Sequence, residues 1–182
     1  MLIIKKFRHY LIRVKQSYFV SKLSSTEIKC VKNTLKPELQ VIFFSQAMCD
    51  QRHGFLVFNK CKELFKDSVD ISHEELFTAS LLHDVGKTTS FSSVTMRIIT
   101  ALFVAIYGVN NSINLDNSRF SLLRRVGAYA NHSEIGGEMI RKYCESDFVY
   151  EATRYHHSKP ETLYKNCKNP LAIELFIEAD NL

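Results

Sequence analysis

Apolar residues along this chain recur at the three- and four-residue spacing that lines one face of a helix. Gly and Pro are sparse, no Asn-Gly hairpin signal occurs, and the punctuation falls at helix-length intervals. The pattern predicts an all-α fold, a compact multi-helix bundle. Ser24 followed by Glu27 forms a capping-box signature that opens a helix running to about Leu35, and Pro37 then starts a long helix from about Glu38 to Lys66. A second capping box, Ser72 with Glu75, opens a helix from His73 to about Val85, with Gly86 placed as its C-terminal cap. The stretch Thr95 to Tyr107 (TMRIITALFVAIY) is strongly apolar but only 13 residues long. That length suits a buried helix, or one packed on a partner, better than a membrane span of about 20 residues. Residues 108–119 (GVNNSINLDNSR), rich in Asn and Ser, read as a loop. Further helices are expected at about 120–130, 132–144, 147–157 and 170–181, the last marked by Asn169 as N-cap and Pro170 in the first turn.

Composition changes this picture little. The 182 residues fit one domain with a short appendage, and 46% apolar with 24% charged residues is ordinary for a globular chain. With no long apolar run, the expectation is a soluble, cytoplasmic protein without a transmembrane segment. Five cysteines, odd in number and without CxxC spacing, read as reduced thiols.

Charge adds a boundary. Residues 1–36 carry nine Lys or Arg against one Glu, which leaves the rest of the chain net negative by three. The expected organisation is therefore a basic N-terminal helical extension over 1–36 and a helical domain over 37–182. The extension lacks the uninterrupted apolar core of a secretory signal. Its basic face is expected to meet solvent, with a peripheral membrane or homo-oligomer contact as the alternative. The acidic body gives no reason to expect a stable nucleic-acid partner.

The chemistry-bearing residues are histidines and aspartates. His83-Asp84 lies in LLHDVGK at the end of an apolar helix, so an imidazole and a carboxylate arrive together in the interior and need compensating partners. A metal supplies that compensation. Nitrogen and oxygen donors together suit one or two divalent transition ions (Mn, Fe, Zn, Co or Ni) better than Mg, and the two oxygens of Asp84 can bridge a pair. His53 follows in DQRHGFLVF, His132 in NHSEIGGEMI, where Gly136 and Gly137 permit close backbone approach, His156-His157 at the end of DFVYEATRYHH, and Asp180 in IELFIEAD. Arg52 beside His53 is a candidate phosphate contact, and Arg154 and Lys159 near the histidine pair are weaker ones.

The ordered set H, HD followed by Gly-Lys, H, H, D resembles the HD-domain superfamily of metal-dependent phosphohydrolases, and LLHDVGK is similar to the HDIG-like variant of its signature. The resemblance covers about residues 38–182. It implies that His53, His83, Asp84 and Asp180 surround one metal, and that Asp84 also faces a second metal held by His132 and His156, with His157 as the alternative to His156. It implies that Lys87 holds a substrate phosphate oxygen and that Asp84 serves a metal-activated water. The implied substrate is a small phosphorylated molecule, a nucleotide or dinucleotide phosphate ester. SKPETLY after the histidine pair departs from the Gly-Tyr-Pro continuation of the cyclic-dinucleotide phosphodiesterase branch, which argues against that branch. The branch that cleaves symmetrical diadenosine polyphosphates shares the ligand layout. Two other classes stand beside a hydrolase: a di-iron oxygenase on the same fold, and a non-catalytic sensor or interaction module.

Overall fold

The computed structural model describes residues 21–65, 71–91 and 93–181, so the first 20 residues of the basic extension lie outside the described residues. Among the described residues the fold is helical throughout, with no strand. In chain order the helices are α1 (Ser25–Thr34), α2 (Pro37–Ser45), α3 (Met48–Leu64) and α4 (His73–Leu82). A 3-10 turn over Val85–Thr89 leads to α5 (Val94–Tyr107) and α6 (Val109–Ile113), and a second 3-10 turn over Asn114–Asn117 leads to α7 (Ser121–Ala130). The remaining helices are α8 (His132–Arg141), α9 (Asp147–Tyr155), α10 (Pro160–Asn166) and α11 (Pro170–Asp180).

Both expected capping boxes form, with Ser24 and Ser72 accepting from the Glu27 and Glu75 backbone while each glutamate reaches back to the cap. Such caps contribute about 1 kcal/mol each. At the start of α11 the Asn169 side chain accepts from Ala172 N, a cap without the reciprocal bond.

Three expectations are corrected. The helix expected over 38–66 is two helices, because Gln46 and Ala47 are extended and the buried Gln46 amide donates to Leu81 O of α4 at 3.0 Å. This contact across 35 residues has no local signature such as Gly or Pro. Gly86 does not cap α4; the helix ends at Leu82, and Gly86 lies inside the 3-10 turn against the start of α8, where a Cβ would fall 1.9 Å from His132 O. The expected loop over 108–119 is largely helical. Gly108 (φ 92°) makes the turn out of α5, and the buried Ser112 hydroxyl donates to Gly108 O, while the backbone of Leu115 and Asp116 presses on Gly127 of α7.

One large core joins α1 to α4 with α8 to α11, and its completely enclosed side chains include Phe43, Leu81, Leu82, Ile140, Ile173 and Phe176. Truncating any of these to Ala costs about 2–5 kcal/mol. A smaller cluster (Phe91, Val104, Val126) holds α5 and α7 together apart from that core. α4 is apolar nearly all round, with every residue from Leu76 to Leu82 buried, so its C-terminal end points into the middle of the molecule. α3, α9 and α11 pack around it or around one another, and α8 packs on the 3-10 turn that follows it.

Candidate metal centre

The end of α4 delivers His83 and Asp84 into the interior, where both are at most 3% exposed. The 3-10 turn that follows has three residues per turn, which stacks side chains at i and i+3. Lys87 therefore stands over Asp84, with Nζ 2.5 Å from Oδ2. Burial opposes a charge on either group, yet each holds its partner ionised: the lysine pKa rises and the Asp84 carboxyl, also facing His83, falls well below the usual range.

Three histidines converge on this carboxylate in one way. His83, His132 and His156 each bond through Nδ1 to the carbonyl three residues earlier (Ser80, Tyr129 and Thr153), all at 2.8 Å. Those carbonyls belong to the last turns of α4, α7 and α9, where helix acceptors lack an intrahelical partner. The helix ends thus select the Nδ1–H tautomer and turn each Nε2 lone pair inward. His132 Nε2 lies 3.3 Å and His156 Nε2 3.7 Å from Asp84 Oδ1, while His83 Nε2 is 3.6 Å from Asp84 Oδ2 and 3.3 Å from Asp180 Oδ1. None of these three Nε2 atoms, nor Asp84 Oδ1, makes a hydrogen bond, although all are buried.

Lone pairs facing a carboxylate repel it unless a cation lies between them. For His83 a proton can serve, since the Asp84 and Asp180 carboxylates outweigh its burial and raise its pKa above 6.5. For His132 it cannot: burial prevails and lowers the pKa, leaving the ring neutral. The donor set therefore fits a divalent metal, which binds neutral imidazole and ionised carboxylate and whose histidine ligands are oriented by backbone carbonyls.

His53, in the second turn of α3, reaches Asp180 at the end of α11 with Nε2 2.7 Å from Oδ1, and its ring lies edge-on to His83. The Asp180 carboxyl is held well below the usual range because His83 and His53 outweigh its burial. Donor atoms of His53, His83 and Asp84 lie within 4.8 Å of one another, as do those of His132, His156 and His157. His156 is enclosed, while His157 is exposed at the cavity mouth with its ring 4.0 Å from that of His156 and 5.1 Å from that of His132. Close packing, with His156 and His132 alongside, lowers the pKa of His157.

The structure thus gathers His53, His83, Asp84, His132, His156, His157 and Asp180 into one constellation. Two residues expected at substrate are differently engaged. Arg52 bonds to Ser21 O, Lys22 O and both Glu27 oxygens, fastening the chain before α1 to α3 rather than standing free for phosphate. Lys87 lines the cavity, but its ammonium is against Asp84. Arg154 clasps Glu134 and Glu138 of α8.

A cavity of about 960 Å³ opens from the cluster, and residues with no role read from the sequence line it. Arg97 of α5 pairs with Asp50 of α3 in the interior and donates to Phe91 O and Lys87 O, which pins α5 over the site. Its one signal in the sequence was a single charge within an otherwise apolar helix.

The family model described as HD domain matches residues 39–182, a span that holds every histidine and aspartate of the cluster. No curated protein and no solved structure matches the chain. With the helical bundle, the helix-end histidine pairs and the matched span in agreement, the chain belongs to the HD-domain family, whose members are generally metal-dependent hydrolases.

Proposed function

We propose that this protein hydrolyses a phosphate ester with one or two divalent transition metal ions held by its histidine and aspartate cluster. The observation that carries the reading is the convergence of three buried, unbonded Nε2 lone pairs on one ionised carboxylate. His53, His83 and Asp180 would hold a cation on one side of Asp84; His132, His156 and His157 would hold one on the other. Bound there, a divalent pair supplies Lewis acidity that brings water toward its conjugate base near neutral pH and offsets charge on phosphoryl oxygens. The chain's own residues set the geometry. Asp84 stays ionised against Lys87 and presents an oxygen to each side; the α4, α7 and α9 carbonyls fix the imidazole orientations; α5 forms one wall of the cavity. The phosphate ester would enter through this cavity; the resemblance implied a nucleotide or dinucleotide, whereas the apolar α5–α6 wall favours an ester of a less polar alcohol.

Phosphate release from a panel of monoesters, diesters and nucleotides, with Mn or Fe(II), tests the reading. Release by the native protein and its loss in His83→Ala and Asp84→Ala support it. Full activity and full metal content in both variants would refute it, and oxygen uptake in place of phosphate release would move the assignment to the di-iron oxygenase.

A further inference from the structure

Opposite the histidine cluster, the cavity wall is built from α5 and α6 through Val94, Ile98, Ala101, Leu102, Val109 and Ile113. Of the wall's two polar residues among the described residues, Arg97 and Asn110, the first is engaged by Asp50 and by backbone carbonyls. A substrate's organic group therefore meets an almost unbroken apolar surface. The polar end is equally specific. Four cationic side chains line the cavity among the described residues: Arg52, Lys87, Arg97 and Lys159. The first three are paired with Glu27, Asp84 and Asp50. Among the described residues, Lys159 has no carboxylate partner. It follows His157 by two residues, and its backbone is fixed as the N-cap of α10, with its carbonyl accepting from Thr162 and Leu163. Lys159 is thus an exposed cation in the cavity lining, able to meet an anion.

Resting on the phosphohydrolase reading, we propose that the substrate is a phosphate ester whose organic group is apolar and at least the size of an aromatic ring. Lys159 meets the phosphate, and the α5–α6 wall receives the organic group. Apolar contact then selects the substrate, because that wall has few groups with which to read hydrogen-bonding edges such as those of a base. The cavity is far larger than a phosphate alone requires, and the apolar area at its far end returns free energy only to a ligand that covers it.

The test uses the full chain loaded with Mn²⁺ and two non-hydrolysable probes, methylphosphonate and 1-naphthylmethylphosphonate, titrated by calorimetry. The naphthyl probe is expected to bind about tenfold tighter or more. Ile98→Asn and the exposed-side Leu102→Gln each shrink that ratio toward one while metal content stays unchanged. Lys159→Ala weakens both probes alike by about tenfold, and Lys159→Arg restores them. Equal binding of the two probes, or undiminished binding by Lys159→Ala, overturns the proposal. Phosphate release from many esters without the naphthyl preference removes the substrate assignment alone. The naphthyl preference without phosphate release removes the hydrolase reading and leaves the apolar ligand standing.

Discussion

The two sides of Asp84 are built from the same imidazole geometry but differ in charge. On one side His83 and His53 share the carboxylate of Asp180; on the other His132, His156 and His157 bring no second carboxylate among the ligand atoms that cluster there. The side with Asp180 places two anions around a cation, the other side only one. Coulomb attraction in a buried site is strong, so the Asp180 side should fill first and hold its ion more tightly. On the proposed two-ion reading, one carboxylate would separate a tight site from an exchangeable one, with Asp84 coupling them.

The largest expected effect comes from removing that coupling. Asp84→Asn should empty both sides in metal analysis and lower turnover on the order of 10³-fold. Loss of one ion alone would show that Asp84 serves a single side. Next in size are the one-sided variants. Asp180→Asn should weaken the tighter ion by about 10- to 100-fold, whereas His132→Ala should leave that ion in place and release the weaker one. Equal losses from both variants would erase the distinction. Gly86→Ala strikes the histidine side through the backbone. The new Cβ has no room against His132 O, so the start of α8 must move, at a stability loss of about 3 kcal/mol in a chemical denaturation curve.

The smallest effect is a difference in pH response. In the metal-free protein the pKa of His83 is raised by Asp84 and Asp180 against its burial, and that of His132 is lowered by burial. Near pH 6.5 a cation must displace a proton from His83 but none from His132. Lowering the pH from about 8 to about 6 should therefore weaken binding on the Asp180 side first and release protons on metal addition, measurable by calorimetry in buffers of different ionisation enthalpy. The same shift stabilises the metal-free fold. With a raised folded pKa, His83 contributes fully below its unfolded value and loses that contribution as pH rises through the raised one, so the metal-free Tm should fall across that window.

Much of this arrangement was legible in the sequence, for identifiable reasons. Capping boxes at Ser24 and Ser72 and the Asn169-Pro170 start act within one turn, so local spacing reveals them. The cluster was legible because the ordered set H, HD followed by Gly-Lys, H, H, D resembles a family signature; helix patterning alone brings none of those segments together. What was not legible depends on distant contacts. Gln46 breaks a helix through an acceptor on α4, Gly86 is required by α8 rather than by its own helix, and Gly127 lets residues 115–116 coil against α7. Arg52 as a candidate phosphate contact and Lys87 as the implied phosphate-holding lysine were expected without partners, because Glu27 and the stacked Asp84 meet them only once the chain is folded. No helix among the described residues is by itself long and apolar enough to cross a membrane, in keeping with the short apolar stretch at α5.

The unbonded Nε2 atoms around Asp84 are the proposed metal ligands. The direct measurement is elemental analysis of full-length protein purified without chelator or affinity metal, followed by titration with Mn, Fe(II), Zn, Co and Ni. The expected result is a divalent transition ion retained on the Asp180 side and a second taken up more weakly, the second lost in His132→Ala. Protein that carries no such metal, and takes up none at millimolar concentration while correctly folded, would contradict it.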